Sequence, residues 1–323
     1  MTVSPPAPRI LFVAANPAID RFIEVTALTP GSIHRPEHVV AVPGGKGLNA
    51  ARAAFALGGR VTALAIVAGR AGEWIAERLA TLDIESSLVR DPSGTETRTC
   101  LSVLDRSTGL LTEFYEPGEG IAPGTWAALE GAIARELKAG DVGAVVCSGS
   151  LPDGAPIDGY ARIAGLARGR SVPLVVDCHG AALEAVLAER PSVVKVNAKE
   201  AAEAAGNAAA EPQEAARALV RRGATWAVVT LGPDGAIACD GATTWRLRAP
   251  GPAGRYPVGS GDAFLAGLTL AMVGSASLLD AARRGVAAGT ANAFVPGAGM
   301  LDAGAAARLL TLVTVDYGAA TSA

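Results

Sequence analysis

A turn near the end of the chain, Gly259-Ser260-Gly261-Asp262, combines small residues with a carboxylate. An apolar run that follows it, to about Val273, predicts a helix. Glycines let the backbone approach a ligand closely, and free N–H groups at a helix N-terminus favour an anion. This turn could therefore stabilise a phosphoryl group while Asp262 accepts a proton from a hydroxyl. The alternative is that Ser260 and Asp262 only cap the helix, since both residue types are common caps.

A second glycine cluster, at 43–50, precedes the first long predicted helix. The spacing Gly45-x-Gly47-x-x-Ala50 fits a loose dinucleotide-binding fingerprint, which would indicate an NAD(P)-dependent oxidoreductase. That fold places an acid at the end of the next strand, about 20 residues on, but here the strand ends in Ile-Val-Ala-Gly-Arg at 66–70. The oxidoreductase is therefore a disfavoured alternative. Lys46 and Asn49 lie one turn apart and could bind a polyhydroxylated ligand, with Lys46 also able to meet an anion.

The composition sets limits on the class of protein. The chain has 323 residues, 50% of them apolar, and a formal net charge of −3. It can bury a large core and offers no basic field for nucleic acid or an anionic membrane. Its apolar stretches are too short for a membrane span, residues 1–8 do not resemble a signal peptide, and four widely spaced cysteines favour reduced core thiols. We expect a cytoplasmic protein that binds neither nucleic acid nor membranes.

Short apolar runs alternate with alanine-rich helical segments along the chain. This pattern predicts an α/β fold, in which a doubly wound, mainly parallel sheet carries helices on both faces. We expect one domain over 1–323. The predicted strands are 9–15, 61–67, 142–148, 172–177, 193–196 and 225–230. The predicted helices are 46–57, 73–82, 126–137, 156–167, 214–222 and 278–294, besides the helix after Asp262, and the alanine-rich segment 201–216 is expected to be helical in large part.

Two segments, at about 20–42 and 98–116, interrupt this alternation. Both are rich in strand-forming residues and alternate polar with apolar positions. We predict that they form a small separate β-sheet that acts as a lid, since a lid of this kind excludes water from phosphoryl transfer. The alternative is that both segments are edge hairpins of the main sheet.

Seven short motifs occur in the order found in ribokinase-like (PfkB-type) carbohydrate kinases and cover nearly the whole chain. They are Asn16-Pro17-Ala18-Ile19-Asp20, Gly44-Gly45-Lys46-Gly47-x-Asn49, Thr97-Arg98, Ser148-Gly149-Ser150-Leu151-Pro152, Lys195-x-Asn197-x-x-Glu200, Thr230-Leu231-Gly232 and Gly259-Ser260-Gly261-Asp262. Within this family the chain most resembles the branch with 1-phosphofructokinase, tagatose-6-phosphate kinase and the minor 6-phosphofructokinase. The resemblance implies a ribokinase-like fold.

The resemblance also implies roles in phosphoryl transfer from ATP. Asp262 would be the base, and the N–H groups of Gly259, Ser260 and Gly261 would stabilise the transferring group. Residues of the ATP site would be Lys195, Asn197, Thr230, Gly232, Gly235 and Asn292. Glu200 would hold Mg²⁺, largely through water. For Glu200 the alternative is a plain helix-dipole contact, and for Asn292 an exposed helix position.

On the acceptor side, the resemblance implies that Asp20 accepts hydrogen bonds from sugar hydroxyls. Residues beside it would be Gly44, Gly45, Lys46 and Asn49. Arg98 would bind a phosphate already on the substrate, with Arg35 in a comparable place on the first lid segment and Ser150 nearby. The alternatives are that both arginines only solubilise exposed strands and that Ser150 is a turn residue.

Several positions depart from the family pattern. Cys100 stands where the branch often has asparagine, and Ser260 stands where alanine is commoner. Glu113 and Glu116 bring two acids near a site meant for a phosphosugar. Either these acids point to solvent or the substrate differs from fructose phosphates.

The sequence therefore predicts an ATP- and Mg²⁺-dependent kinase that adds a second phosphate to a hexose phosphate. Fructose 1-phosphate, fructose 6-phosphate and tagatose 6-phosphate define the expected substrate class. The alternatives are a kinase of a neutral sugar or nucleoside and, from another class, a non-catalytic sugar- or nucleotide-binding protein. A homodimer formed through the edges of the lid sheet is a further hypothesis.

Overall fold

A computed structural model describes residues 7–36 and 38–317 of the chain, without the side chain of Tyr317. The prediction about a signal peptide rests mainly on residues 1–6, which lie outside the described residues. None of the helices in the described ranges is long and apolar enough to cross a membrane. The four cysteines all lie within these ranges and are buried and free, which confirms the prediction of core thiols.

The described chain alternates strands and helices for most of its length. The strands are β1 (Arg9–Ala14), β2 (Ala18–Val25), β3 (His38–Gly44), β4 (Val61–Val67), β5 (Glu85–Arg90), β6 (Thr99–Asp105), β7 (Leu111–Tyr115), β8 (Val142–Ser148), β9 (Leu174–Asp177), β10 (Val193–Asn197), β11 (Trp226–Thr230), β12 (Ala236–Cys239), β13 (Thr244–Arg248) and β14 (Thr314–Tyr317). The helices are α1 (Lys46–Ala56), α2 (Gly69–Thr81), α3 (Thr125–Lys138), α4 (Gly159–Arg168), α5 (Gly180–Leu187), α6 (Ala198–Ala204), α7 (Pro212–Arg221), α8 (Ser260–Val273), α9 (Leu278–Asn292) and α10 (Ala303–Leu310).

The main sheet has the order β14-β13-β12-β11-β10-β9-β8-β1-β4-β5. Its strands run parallel from β5 to β11, and β12, β13 and β14 add an antiparallel end. The strand order diverges on either side of β1, which pairs with β4 and β8. In open α/β sheets, ligands bind outside the carboxyl ends of the strands near such a point. The topology therefore directs attention to the loops that follow these strands.

Helices cover both faces of the main sheet. Alternate side chains of β1 belong to different apolar clusters, with Phe12 in one cluster and Val13 in the other. The first cluster contains residues of α1, α2, α8 and α9, and the second contains residues of α3 to α7. Because both faces are buried, the parallel strands other than the edge strand β5 are mainly apolar runs. The prediction of a doubly wound, mainly parallel sheet is confirmed.

A separate four-stranded sheet has the order β3-β2-β6-β7. Strands β2 and β6 are parallel, and the two outer pairs are antiparallel. In this register Asp20 lies beside Cys100, which in turn lies beside Tyr115. The two segments therefore form their own small sheet, and the alternative of edge hairpins on the main sheet is wrong. The role of this sheet as a lid stays a prediction.

The predicted elements agree with the observed ones to within a few residues. The strands predicted at 61–67 and 142–148 have the bounds of β4 and β8. The largest difference is at α2, which begins at Gly69 instead of residue 73. Sequence analysis did not predict strand β5, the antiparallel strands β12 to β14, or helices α5 and α10. Strand β12 is apolar but has only four residues, β5 is largely polar and exposed, and β13 alternates buried with partly exposed positions, so none of them is a long apolar run.

Candidate active site

An open cavity of about 580 Å³ lies between the small sheet and the carboxyl ends of the main strands. Asp20, Arg98 and Ser102 line it from the small sheet or beside it. From the main sheet, Lys195 lines it from β10 and Thr230 lies at the end of β11. The structure thus brings together predicted site residues that are more than 200 positions apart in sequence.

A second cavity of about 440 Å³ lies on the other side of the start of α8. Its walls are mostly apolar and come from the proline- and glycine-rich loop 249–254 and from α9, and Ser260 and Gly235 also line it. Thr230, Gly232 and Gly261 line both cavities. We call these two the polar and the apolar cavity. They meet at the turn where the sequence predicts phosphoryl transfer.

Asp262 lies at this junction and does not cap its helix. The N-cap residue of α8 is Gly259, at φ +80°, and the helix has no side-chain cap. Asp262 Oδ2 instead accepts a hydrogen bond from Asn49 Nδ2 at 3.1 Å. Burial raises the pKa of Asp262 to about 7, with the charge of Asp177 acting in the same direction and Lys195 opposing it. A carboxylate with this pKa can both accept and release a proton near neutral pH.

Asn49 joins Asp262 to the acceptor residue Asp20. Its Nδ2 also donates to Asp20 Oδ2 at 2.9 Å, and the N–H of Gly45 donates to the same oxygen at 3.3 Å. Gly44 does not line the cavity, but a Cβ at this position would lie 2.1 Å from Asp20 Cγ. A glycine is therefore needed to make room for the carboxylate. Burial raises the pKa of Asp20, although the hydrogen bond from Asn49 opposes this shift.

Asp177, at the end of β9, bridges two lysines and was not among the predicted site residues. It is fully buried, with Oδ1 2.9 Å from Lys46 Nζ and Oδ2 2.6 Å from Lys195 Nζ. Burial alone would raise the pKa of Asp177, but the two ammonium groups lower it to about 2. A Cβ on Gly261 would lie 3.0 Å from Lys195 Nζ, so this ammonium lies directly beside the α8 turn. The lysines therefore bring positive charge to the junction, where a phosphate could bind.

Asn197 and Glu200 form a capping box at the start of α6. Asn197 Oδ1 accepts from the N–H of Glu200, and Glu200 Oε2 accepts from the N–H of Asn197, both at 2.9 Å. One carboxylate oxygen of Glu200 thus binds the start of its own helix, as the alternative interpretation of this residue expects. The other oxygen, Oε1, lies 3.7 Å from Lys46 Nζ, and Glu200 lines the polar cavity.

The donors near Glu200 fit a hydrated Mg²⁺ better than a cage of protein ligands. Among the described residues there is no group of three or more His, Cys, Asp or Glu that could hold a metal ion. Mg²⁺ usually keeps several waters and binds one or two carboxylates together with substrate phosphates. A single carboxylate oxygen that is not used in the capping box and lies beside a cationic cluster is compatible with that mode of binding.

The small sheet brings a cation and an acid to the polar cavity. Arg98 lines it and is held by a hydrogen bond from Nη2 to the carbonyl oxygen of Asn16 at 3.2 Å. Glu113 and Tyr115 line it from β7, and the Tyr115 hydroxyl donates to Glu113 Oε1. Glu116 instead accepts from the N–H of Thr99 with Oε2 at 2.6 Å. Of the two acids noted in the sequence, one therefore faces the cavity and the other binds the backbone.

Ser150 and Cys100, two residues noted in the sequence, also line the polar cavity. Ser150 Oγ accepts from Asn16 Nδ2 at 3.1 Å, so this serine lies at the cavity as the resemblance implies. Cys100 lines the cavity beside Asp20, and burial raises its pKa to about 11. It therefore stays a neutral thiol at neutral pH and offers little polar contact to a ligand.

The structure does not bring Arg35 or Asn292 to either cavity. Arg35 is exposed in the loop between β2 and β3, whose register pairs Glu24 with His38 at the end of the sheet remote from Asp20. Asn292 is fully buried at the end of α9, where Nδ2 donates to the carbonyl oxygen of Val258 at 2.9 Å. It therefore supports the α8 turn from behind and is not the exposed helix residue of the alternative.

Arg52 is a buried residue of the site that sequence analysis missed. It is 4% exposed, and its Nη2 donates to Asn49 Oδ1 at 2.9 Å. Burial lowers the pKa of Arg52 to about 10, although Asp20 and Asp262 oppose the shift, so the guanidinium is charged at neutral pH. Nothing in the sequence distinguishes this arginine from an exposed helix residue, apart from its place three residues after Asn49.

Comparison with known proteins places this geometry in a family. A model of the pfkB family carbohydrate kinases matches residues 13–303. Phosphofructokinase-2 from Escherichia coli, in complex with potassium, is 28% identical with a TM-score of 0.85, over 94% of this chain and 99% of that chain. A putative phosphofructokinase from Staphylococcus aureus is also 28% identical, with a TM-score of 0.78, over 97% of this chain and 100% of that one.

A possible 1-phosphofructokinase from Thermotoga maritima shares the fold, with a TM-score of 0.85 at 24% identity over 96% of this chain and 100% of that chain. Kinases of this kind use ATP as the phosphoryl donor, and the two cavities that meet at the start of α8 provide room for a donor and an acceptor. Because the family match covers most of the sequence, the chain belongs to the pfkB family of carbohydrate kinases.

Proposed function

We propose that this kinase transfers the γ-phosphoryl group of ATP to a hydroxyl of a hexose phosphate and forms a bisphosphate. Sugar phosphates of the fructose 1-phosphate, fructose 6-phosphate and tagatose 6-phosphate class are the proposed acceptors. The observation that carries the proposal is the burial of Asp262 where the two cavities meet, with a pKa raised to about 7. The likeness to phosphofructokinase-2 at 28% identity supports the choice of acceptor.

In the proposed mechanism, Asp262 accepts the proton of the attacking hydroxyl. The carboxylate lies at the α8 turn, where the N–H groups of Gly259 and Gly261 would stabilise the negative charge of the transferring group. The N–H of Ser260, expected to share this role, instead donates to the carbonyl oxygen of Pro257. Lys195 lies beside Gly261 and adds positive charge at the same place. Phosphoryl transfer depends mainly on positioning and charge stabilisation, and these residues supply both.

The ATP side would be the apolar cavity together with the cationic cluster. The apolar walls suit a nucleotide base, and Gly232 allows close approach of its phosphates. Gly235 also lines this cavity, but a Cβ there would lie 2.0 Å from the carbonyl oxygen of Leu247, so packing already requires this glycine. Glu200 Oε1 would hold Mg²⁺ through water, with Asn197 nearby. Bound Mg²⁺ would neutralise phosphate charge as the phosphoryl group leaves.

The acceptor side would be the polar cavity. Asp20 can only accept hydrogen bonds when ionised, so it suits sugar hydroxyls, and Asn49 holds it in place. Arg98 would bind the phosphate already present on the sugar, because a guanidinium matches phosphate oxygens in a fork geometry.

We further propose that the whole chain is one kinase domain and that the small sheet is its lid. Strands β3 and β7 are the open edges of this sheet and carry the exposed apolar residues Val39 and Phe114. A second copy of the chain could cover these edges in a homodimer. Phosphofructokinase-2 from Escherichia coli forms a tetramer in its inhibited form. A single monomeric species in light scattering, with and without ATP, would contradict the dimer.

Glu113 favours a second candidate function, the phosphorylation of a neutral sugar. Its carboxylate and the Tyr115 hydroxyl line the same cavity as Arg98. A carboxylate repels a phosphate dianion, whereas it can accept hydrogen bonds from hydroxyls of a neutral sugar. If this candidate is correct, Glu113→Gln lowers turnover of the neutral sugar, and Arg98→Ala changes its KM little.

ADP release over a panel of acceptors tests the proposal. The panel contains fructose, tagatose and glucose phosphates, free fructose, free ribose and adenosine. We expect the highest kcat/KM for a ketohexose phosphate and a loss of about 10- to 100-fold in Arg98→Ala, since hydrogen bonds to charged groups have this strength. Arg135→Ala removes an exposed arginine of α3 and is the matched control.

Two outcomes of this panel would contradict the proposal. Higher kcat/KM for a free sugar or adenosine would favour the neutral-acceptor kinase. An absence of ADP release with every acceptor, while ATP still binds, would favour a non-catalytic binding protein.

A further inference from the structure

Arg52 lies in the second turn of α1, directly behind the residues that line the acceptor side of the polar cavity. Its guanidinium is buried, and Nη2 donates to Asn49 Oδ1 at 2.9 Å and to the carbonyl oxygen of Ala298. Arg52 itself lines neither cavity. Burying a charge is costly unless it is paired and hydrogen-bonded, so this position calls for an explanation in terms of its neighbours.

The neighbour that matters is the side-chain amide of Asn49. An amide has two N–H donors on its nitrogen and only acceptor sites on its oxygen. Asn49 uses both donors, one on Asp20 Oδ2 at 2.9 Å and one on Asp262 Oδ2 at 3.1 Å. If the amide turned over, its oxygen would face two carboxylates, and no hydrogen bond could form there while both carboxylates are ionised.

A guanidinium has five N–H donors and no acceptor. Beside Arg52, only the oxygen of the Asn49 amide can form a hydrogen bond, so the nitrogen must point toward the two carboxylates. We propose that Arg52 is a positioning residue that fixes the amide of Asn49, and through it the separation of Asp20 from Asp262. The roles of the two carboxylates rest on the proposed function, whereas the orientation of the amide does not.

The second hydrogen bond of Arg52 links the same amide to the α8 turn. Ala298 belongs to a loop in which a Cβ on Gly299 would lie 2.4 Å from the carbonyl oxygen of Asn49. A Cβ on Gly259 would lie 2.3 Å from the backbone nitrogen of Gly299. The loop is thus packed between α1 and the start of α8. The guanidinium of Arg52 therefore connects Asn49, on the acceptor side, to the loop that packs against the turn carrying the proposed base.

A double-mutant cycle between positions 52 and 49 tests whether Arg52 acts through Asn49. The variants are Arg52→Met, Arg52→Lys, Asn49→Ala and the two double mutants. Arg52→Lys keeps the charge if Arg52→Met does not fold, but its shorter ammonium lacks the fork of the guanidinium. Arg60→Met removes an exposed arginine soon after the end of α1 and is the matched control.

In the parent background, we expect Arg52→Met and Arg52→Lys to lower kcat/KM for the acceptor by about 10-fold or more. The KM for ATP should stay nearly constant, because the apolar cavity lies on the other side of the α8 turn. In the Asn49→Ala background the same substitutions should cost little further, since residues that act as one unit are not additive. Equal losses in both backgrounds, or no loss in the parent, would overturn the proposal.

A readout independent of turnover separates this inference from the proposed function. Hydrogen-bonded side-chain amide protons of Asn49 should exchange slowly in NMR spectra of the parent and faster in Arg52→Lys. Unchanged exchange would overturn the inference even if the acceptor panel confirms the function. If the panel fails instead, faster exchange in Arg52→Lys would still support the positioning role.

Discussion

Helices α6 and α8 each carry an acid at the third residue after the N-cap residue. In α6 the N-cap residue is Asn197, and the acid is Glu200. In α8 the N-cap residue is Gly259, and the acid is Asp262. Glu200 folds back on the N–H of Asn197, whereas Asp262 makes no capping bond and points to the amide of Asn49.

The difference follows from the N-cap residue. The side chain of Asn197 accepts the N–H of Glu200, which completes a reciprocal capping box and uses one oxygen of each side chain. Gly259 has no side chain and adopts a left-handed conformation at φ +80°. Its acid is left for other contacts. The N–H groups of Ser260 and Asp262 donate to the carbonyl oxygens of Pro257 and Gly259, which leaves those of Gly259 and Gly261 for an anion. In these two helices the N-cap residue thus decides whether the acid of the first turn binds its own helix with one oxygen or is left entirely for other contacts.

The largest expected effect comes from removing the acid of α8. Asp262→Asn keeps the size of the side chain but removes the base, so we expect kcat at pH 8 to fall by about 100- to 10,000-fold. Binding of ATP, measured by calorimetry, should be retained. The matched control is Asp280→Asn, which changes the acid at the same position of α9. In that helix Ser277 is the N-cap residue, and Asp280 lines neither cavity. Similar losses in the two variants would contradict the comparison.

A smaller effect is expected from giving α8 an N-cap residue with a side chain. Gly259→Ala places a methyl group where a Cβ would lie 2.3 Å from the nitrogen of Gly299, and it strains the positive φ. We expect the free energy of unfolding, measured in urea, to fall by about 1–3 kcal/mol, and kcat to fall as well. Gly165→Ala, in α4 with no atom within 4 Å of the new Cβ, is the control. It should stabilise the protein by up to about 1 kcal/mol. Equal stability of the two variants would contradict the account of the turn.

The smallest effect on stability is expected at α6, where Asn197 and one oxygen of Glu200 hold each other at the start of the helix. Asn197→Ala removes the acceptor for the N–H of Glu200, so the free energy of unfolding should fall by about 1 kcal/mol. Asn197→Asp keeps an acceptor at the cap and should restore most of this loss. Urea unfolding of the three proteins measures the difference. If Asn197→Ala is as stable as the parent, the capping box does not hold the helix.

Much of the fold was predictable because the parallel strands other than the edge strand β5 are buried on both faces. Strands such as β4 and β8 are continuous apolar runs, which stand out in any sequence. Strand β13 alternates buried with partly exposed residues and pairs only with antiparallel neighbours, so no run marks it. The small sheet was predictable because its alternation differs from that of the core strands.

The site was predictable where a motif is local and was missed where distant elements meet. Asp262, Lys46 and Glu200 lie in short motifs, and all three line the polar cavity. Asp177 could have been found, because it ends a predicted strand at the edge where parallel strands place ligand-binding residues. Arg52 could not, because only the packing of α1 against the loop at Ala298 shows that it is buried. Arg35 was expected from its place on the first lid segment, but the register of β2 and β3 holds it away from the cavity.

The pH dependence of kcat/KM for the acceptor tests the role of Asp262 most directly. Its pKa is raised to about 7, and the base must be ionised to accept a proton. Activity should therefore rise with pH up to about 7 and fall about tenfold per pH unit below it. A phosphate on the substrate also titrates, near pH 6, so the residual activity of Asp262→Asn serves as the reference. We predict that this fall in kcat/KM below about pH 7, the acidic limb of the profile, is present in the parent and absent from Asp262→Asn. The same limb in both proteins, or a parent profile that is flat down to pH 5, would contradict the account.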